Sequence, residues 1–474
     1  MADRAAPRTH RRAQPPLLVG RERERALLRE HLAAALAGEG GLVLVGGEAG
    51  IGKTALAEEL GREAADRGAL VLVGRCYDLS ETPPYGPWLE AFARYPAGGD
   101  LPPLPAPLAE RGRLGPVAGR DALFGQVRDF LAAVAAARPL VLLLDDLHWA
   151  DPASLDLLRV TARSLDDTPL LLLATYRSDE LPAGHPLAAL LPRLVREAQA
   201  DRLDLAPLDE AAIGALVATR YALAEPDLAR LVAYLHDHAE GNPFAAGEML
   251  RALAEAQVLR AGAGGWALSD LAAAPVPPLL RQVIAERAAR LGVEAARLLA
   301  LAAVIGQEIP LALWQTVGEV ADEGTLLDLV ERAVEAHLLV AAPDGTSVRF
   351  AHALVREALY EGVLPPRRRA WHRRVAAALL ATPAPDPDAV ASHLRRAGDP
   401  RAVEWLVRAG LRAYGAQARL TAAERFAAAA GLLAGDPARA AARGWLLYLV
   451  GEALIFADTE RALGVLAEAL ALAA

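Results

Sequence analysis

One segment constrains this chain more than any other: Gly47-Glu48-Ala49-Gly50-Ile51-Gly52-Lys53-Thr54. It follows the apolar run Gly41–Val45 and opens an amphipathic stretch at Thr54. A strand, a glycine-rich loop and a helix in that order make a cradle for a phosphate chain. The glycines let successive backbone N–H groups face one anion, and the helix N-terminus adds its dipole. Lys53 would neutralise β- and γ-phosphate charge, and the Thr54 hydroxyl would ligate Mg²⁺. Lys53 is also the only lysine among 50 basic residues. A planar guanidinium cannot replace a compact ammonium inside a phosphate cradle, so the exception falls where chemistry demands it. Asn242, in Gly241-Asn242-Pro243-Phe244, is likewise the only asparagine.

Around the loop, short apolar runs alternate with amphipathic stretches. The runs are Gly41–Val45, Leu70–Gly74, Leu140–Leu144, Leu170–Thr175 and, more weakly, Asp201–Leu205. Runs of this length bounded by glycine, proline or charge suit strands buried on both faces of a parallel sheet. The reading is an α/β P-loop NTPase domain with a five-stranded parallel sheet over residues 17–205, after a disordered lead-in at 1–16. Helical spacing at Ala211–Tyr221, Pro226–His238 and Phe244–Val258 predicts a helical lid domain, which with a Gly/Ala/Pro-rich linker fills 206–277. Residues 278–365 hold helices and a hairpin, Leu338–Ala341 and Ser347–Phe350, around the turn Pro343-Asp344-Gly345. That pattern fits a winged-helix domain. Residues 366–474 read as Ala-rich helices broken at Pro383–Pro387 and at two Gly-Asp-Pro turns, a tetratricopeptide-like region expected to be incomplete.

The second chemical motif is an apolar strand ending in two carboxylates, Asp145 and Asp146. Asp145 is expected to hold Mg²⁺ through water. Asp146 takes the position that orients the attacking water; it is one methylene shorter than the Glu common there, so hydrolysis is expected to be slow. Arg177 ends the next apolar run and is the candidate sensor of the γ-phosphate. His148 and Trp149 read as loop packing. Cys76, the single cysteine, reads as a small core residue after a strand.

The formal net charge of −9 argues against a broad nucleic-acid-binding face. A lone cysteine allows no intrachain disulfide and suits a reducing compartment. No run reaches the roughly 18 apolar residues of a membrane span. A cytoplasmic protein with no membrane partner is expected.

Taken together, Val19-Gly20-Arg21-Glu22, the loop at 47–54, the Asp145-Asp146 run, Ala174-Thr175-Tyr176-Arg177, Gly241–Phe244 and Phe350–Tyr360 resemble the signal-transduction ATPases with numerous domains (STAND). Within them the chain is similar to the ATPase region of large bacterial LuxR-family regulators. The resemblance implies ATP and ADP as ligands with Mg²⁺. It implies that Val19, Gly20 and Arg21 border the adenine, that Pro243 packs near it, and that His352 reaches the β-phosphate of ADP from the winged-helix domain and holds a closed state. ATP and an unknown inducer, a small molecule or protein acting at the helical tail, would then favour self-association. No helix-turn-helix is expected within these residues, and so no direct DNA contact from them. Two other readings stay open: an ATPase resembling origin-recognition loaders, which would need Arg251 to point back at the phosphates, and a scaffold with ATP as a structural ligand.

Overall fold

In the computed structural model, the described residues are 18–77, 83–96, 98, 100–109, 114–165, 168–182, 184–262, 265–271, 280–342, 344–455 and 457–473. The expected lead-in at 1–16, part of the linker, and Pro343 lie outside them.

Five strands form one parallel sheet: β1 (Gly41–Gly47), β2 (Leu70–Arg75), β3 (Leu140–Asp145), β4 (Leu170–Arg177) and β5 (Asp201–Asp204), in the order β2-β3-β4-β1-β5. All are paired in parallel. β3 and β4 are buried along their whole length, as continuous apolar runs require. β5, the weakest run, is the exposed edge strand.

Side chains alternate between the two faces of the sheet. Val43, Val45, Val141, Leu143, Leu171 and Leu173 pack against Leu28 and Leu32 of α1 (Glu22–Ala37) and Leu56 and Leu60 of α2 (Lys53–Asp66). Leu42, Leu44, Leu142, Leu144 and Leu172 face the other way. There they meet α3 (Gly86–Ala93), α4 (Arg120–Ala137), α5 (Pro152–Ala162) and α6 (Pro186–Glu197).

Three helices follow: α7 (Glu210–Ala218), α8 (Glu225–Ala239) and α9 (Pro243–Glu255). Part of the stretch read as linker is instead an antiparallel hairpin, β6 (Leu259–Gly262) with β7 (Gly265–Leu268). Its strands are too short to show alternation. What registers them is long-range: Trp266 packs edge-on to Tyr221 with ring centroids 4.7 Å apart.

Next come α10 (Leu280–Arg290), α11 (Val293–Ile305), α12 (Leu311–Gly318), α13 (Glu323–Glu335) and α14 (Ala353–Glu361), with β8 (Glu308–Pro310), β9 (Leu339–Ala341) and β10 (Ser347–Phe350). The expected hairpin is present, and β8 adds a third strand on its far side in the order β8-β10-β9. Gly345 takes φ +70, as the turn needs.

The remainder is helical: α15 (Pro365–Leu380), α16 (Pro387–Ala397), α17 (Ala402–Gly415), α18 (Arg419–Leu432), α19 (Ala440–Leu454) and α20 (Thr459–Ala473), each packed on the next. This tail is not independent of the sheet domain. Ala422, Ala423 and Phe426 of α18 share one hydrophobic core with Leu147, Ala153 and Leu157. No described helix is long and apolar enough to cross a membrane.

Candidate nucleotide site

The loop after β1 runs directly into α2. Gly47, Gly50 and Gly52 take φ +147, +81 and +108, so the curl of the backbone rests on residues without a Cβ. Lys53 is the first residue of α2 and is 6% exposed. Its ammonium donates to the carbonyls of Gly47 at 2.8 Å and Glu48 at 2.7 Å, and no carboxylate pairs with it among the described residues. A buried cation beside an N–H-lined loop fits a phosphate anion. Burial lowers the Lys53 pKa, and the field of Asp146 opposes that shift.

The carboxylates stand beside it. The Thr54 hydroxyl donates to Asp145 at 3.1 Å, and the Thr175 hydroxyl donates to Asp145 Oδ1 at 2.5 Å. Asp146 adopts φ +59, and its backbone N–H donates to Thr175 Oγ1 at 2.9 Å. Burial and the neighbouring Asp145 push the Asp146 carboxyl up to about 7. Two crowded carboxylates and a hydroxyl form a donor set that a hard divalent cation would relieve.

Strand register puts Arg177 directly opposite Gly47, the first residue of the loop. Arg177 is 4% exposed. It forms an ion pair with Glu180, and its guanidinium lies 4.8 Å from the centroid of the Trp149 ring. His148 is buried and accepts from the Arg177 backbone N–H through Nδ1 at 3.3 Å. Burial, with Arg177 nearby, drives the His148 pKa down to about 2, so it is neutral.

The residues expected to border the base lie where the loop meets α7–α9. Val19 is half-buried and packs on the core of α7–α9. Gly20 approaches α7 so closely that a Cβ there would stand 2.5 Å from the Cβ of Ala212. Arg21 donates to the carbonyls of Ile51 at 3.2 Å and Ala206 at 2.7 Å, tying the loop to the exit from the sheet.

Two later segments close on the same loop. The Asn242 amide donates to the Ala49 carbonyl at 2.8 Å, while its Oδ1 caps α9 by accepting from Phe244 and Ala245. Pro243 is the first residue of that helix. A Cβ on Gly50 would stand 2.8 Å from Asn242 Oδ1 and 3.0 Å from Leu354 Cδ1, so α14 also covers the loop. His352, the cap of α14, stacks on Phe244 with centroids 4.1 Å apart. Its Nδ1 accepts from the Leu354 N–H at 3.1 Å, which leaves Nε2 to carry the proton of the neutral ring. Burial, then Arg177 and Lys53, lowers the His352 pKa to about 3.

Arg251 lies elsewhere. Its charged neighbours are Glu248 at 3.5 Å, Arg287 and Arg220, at the junction of α9 and α10. Cys76 is buried, as a core residue.

Sequence reading missed several participants. Thr175 was visible as a polar residue ending an apolar strand. Arg75, 4.0 Å from Asp145, could have been found by aligning the ends of β2 and β3, because the two residues are register partners. Glu180 and the Trp149 face gave no local signal.

Comparison with known proteins agrees on the first part of the chain. Residues 17–173 match the family model described as an AAA ATPase domain. An uncharacterized protein of Rhizobium meliloti (strain 1021) is 27% identical over 429 residues, which is 80% of this chain and 39% of that protein. The chain thus spans about two fifths of the length of that relative. Among solved structures, a STAND protein with a tetratricopeptide repeat sensor from Pyrococcus horikoshii aligns with TM-score 0.47 and 14% identity, over 96% of this chain and 65% of its own. Cdc6p from Pyrobaculum aerophilum aligns with TM-score 0.39 and 14% identity, over 74% of this chain and 97% of its own.

Proposed function

We propose that this chain, whose first part carries an AAA-type ATPase domain, is an ATP-binding, slowly hydrolysing signalling switch of the STAND type and part of a transcriptional regulator. The observation that carries the reading is convergence. The loop at 47–54 is touched by Arg21 ahead of the sheet, by Asn242 of the lid helices, and by Leu354 beside His352 in the later α/β module. Three separate parts of the chain thus touch one cradle, which supports a switch over a simple hydrolase.

In this reading Gly47–Thr54 binds the phosphates, with Lys53 as their counter-charge. Thr54 would hold Mg²⁺ directly and Asp145 would hold it through water. When bound, the cation supplies charge neutralisation across the β- and γ-phosphates. Asp146 orients the attacking water and Arg177 meets the γ-phosphate. Val19, Gly20, Arg21 and Pro243 border the base. His352, as an Nε2–H donor, meets the β-phosphate of ADP from a module we take to be a winged helix, and so favours the closed form. The helical tail would receive the inducer, and ATP would favour self-association in the cytoplasm.

The test is to purify the protein, identify any retained nucleotide, and measure its mass by light scattering with ADP and with Mg-ATP. A monomer with ADP that assembles with ATP is expected. Rapid turnover with no change of size would leave a conventional ATPase and remove the switch.

A further inference from the structure

Arg177 is a buried cation whose position is set by two groups outside the phosphate cradle. Glu180, three residues on, pairs with its guanidinium through Oε1. Glu180 Oε2 lies 3.5 Å from His148 Nε2, a buried nitrogen with no hydrogen-bond partner among the described residues. Trp149 supplies an aromatic face to the same guanidinium. The clamp is lopsided: Arg177 and His148 are buried, whereas the Glu180 side chain is 36% exposed and can swing into water. Removing a carboxylate from a buried guanidinium is strongly unfavourable unless another anion takes its place. The third phosphate of ATP is an anion of that kind, and ADP lacks it.

We infer that Glu180 is a positioning residue that competes with the γ-phosphate for Arg177, and so sets how strongly the site prefers ATP over ADP. This rests on the proposed role of Arg177 as the γ-phosphate contact. In the paired arrangement the guanidinium is held by Glu180 over Trp149. When the γ-phosphate takes the guanidinium, Glu180 is released to solvent. Every interaction lost by Glu180 is lost only on ATP binding, so the carboxylate weakens ATP and leaves ADP untouched. Trp149 holds the guanidinium at the same height throughout and keeps the buried cation from following Glu180 outward.

The experiment is calorimetric titration of the full chain with Mg-ATP and Mg-ADP, for the wild type, Glu180→Gln, Arg177→Gln and the double variant. Glu180→Gln keeps the shape and removes the charge at a partly exposed position. It should tighten ATP about tenfold relative to ADP with ADP affinity unchanged, while the unliganded protein melts lower because the buried guanidinium loses its carboxylate. In the Arg177→Gln background the same change should have no effect on the ratio. Equal shifts for both nucleotides, or an unchanged ratio in Glu180→Gln, would overturn the inference. Lys53→Ala separates it from the broader reading. If Lys53→Ala leaves nucleotide affinity intact, the phosphate cradle itself is wrong; if it abolishes binding while Glu180→Gln leaves the ratio unmoved, only the role of Glu180 falls.

Discussion

The Thr421 hydroxyl of α18 donates a hydrogen bond to Asp151 Oδ1 at 3.0 Å, across 270 residues of chain, and both side chains are buried. Asp151 caps α5, accepting from the N–H groups of Ala153 at 3.0 Å and Ser154 at 3.1 Å, and it lies in the loop that begins at Asp146. Arg425, one turn further along α18, donates to Asp388 at 2.9 Å, and its charge also acts on Asp151. The tail is therefore bonded to the segment that carries the carboxylate pair. Thr421→Val should remove both buried hydrogen bonds of this hydroxyl, to Asp151 and from the Ala153 N–H, at nearly constant volume and destabilise the protein by about 1–2 kcal/mol. Asp151→Ala should cost more, about 2–4 kcal/mol, because a helix cap is lost as well. Urea unfolding reads both. An unchanged midpoint for Thr421→Val would mean that α18 does not rest on α5 in solution.

Asn242 performs two tasks with two ends of one amide, and substitution can separate them. Asn242→Asp keeps the oxygen that caps α9 but loses the N–H that reaches the Ala49 carbonyl, and it places a negative charge beside a phosphate cradle. Helix stability should hold within about 0.5 kcal/mol, while Mg-ATP and Mg-ADP affinities both fall by about tenfold or more. Asn242→Ala should lose the cap as well and lower stability by about 1 kcal/mol. Calorimetry with parallel melting curves distinguishes the two. Full nucleotide affinity in Asn242→Asp would show that the lid contact does not shape the loop.

His352 offers a similar contrast. Its ring is neutral, with the proton on Nε2, so its proposed contact with ADP is a neutral hydrogen bond and not an ion pair. His352→Ala should weaken ADP by about fivefold to tenfold and raise basal self-association on size-exclusion chromatography. Wild-type ADP affinity should not vary through His352 between pH 6 and 8, since burial holds its pKa near 3. If ADP affinity and oligomer size both stay put in the variant, α14 has no part in nucleotide recognition.

The sheet and its cradle were legible because their signals are local. Five apolar runs each bounded by breakers became five strands, and Gly47–Thr54 carries its glycines, lysine and hydroxyl within eight consecutive residues. The ends of β1–β4 ran one or two residues beyond the apolar runs, as far as Asp145 and Arg177, because backbone pairing continues past the last hydrophobic side chain, whereas β5 stops one residue short at Asp204. The clamp on Arg177 was not legible. Glu180 and Trp149 are unremarkable surface-type and loop residues until β4 brings them to one guanidinium. Nor was the docking of the tail, since Ala422 and Phe426 show only that α18 has an apolar face, not which surface covers it. The β6–β7 hairpin and β8 were missed for the same reason: strands of three or four residues carry no periodicity of their own.

Four histidines make the acid limb of stability predictable. Burial is the leading cause that lowers His148 and His372 to about 2, and His352 and His393 to about 3. His372 and His393 share a buried contact, Nδ1 to Nδ1 at 2.9 Å, and Tyr360 meets His372 Nε2 at 3.0 Å. In the unfolded chain these imidazoles titrate near 6.5. The folded pKa values lie below the unfolded ones, so the unfolded state binds more protons between them. Stability from these groups is present above about pH 6.5 and is lost as pH falls toward 3. Asp146 works in the opposite sense: its folded pKa is raised, so its contribution is full below about 4 and is lost as pH rises through about 7. Burial also raises the carboxyls of Glu90, Asp151, Glu357, Asp388 and Glu424, which act in the sense of Asp146, so the histidine contribution is read from the change of the pH slope of the urea midpoint in single variants between pH 6.5 and 5. Each buried neutral imidazole contributes up to about 1.4 kcal/mol per pH unit. His393→Asn should flatten that slope, whereas Asp146→Asn should steepen it. An identical pH slope in His393→Asn and the wild type would mean that the His393 ring is solvated in the folded protein.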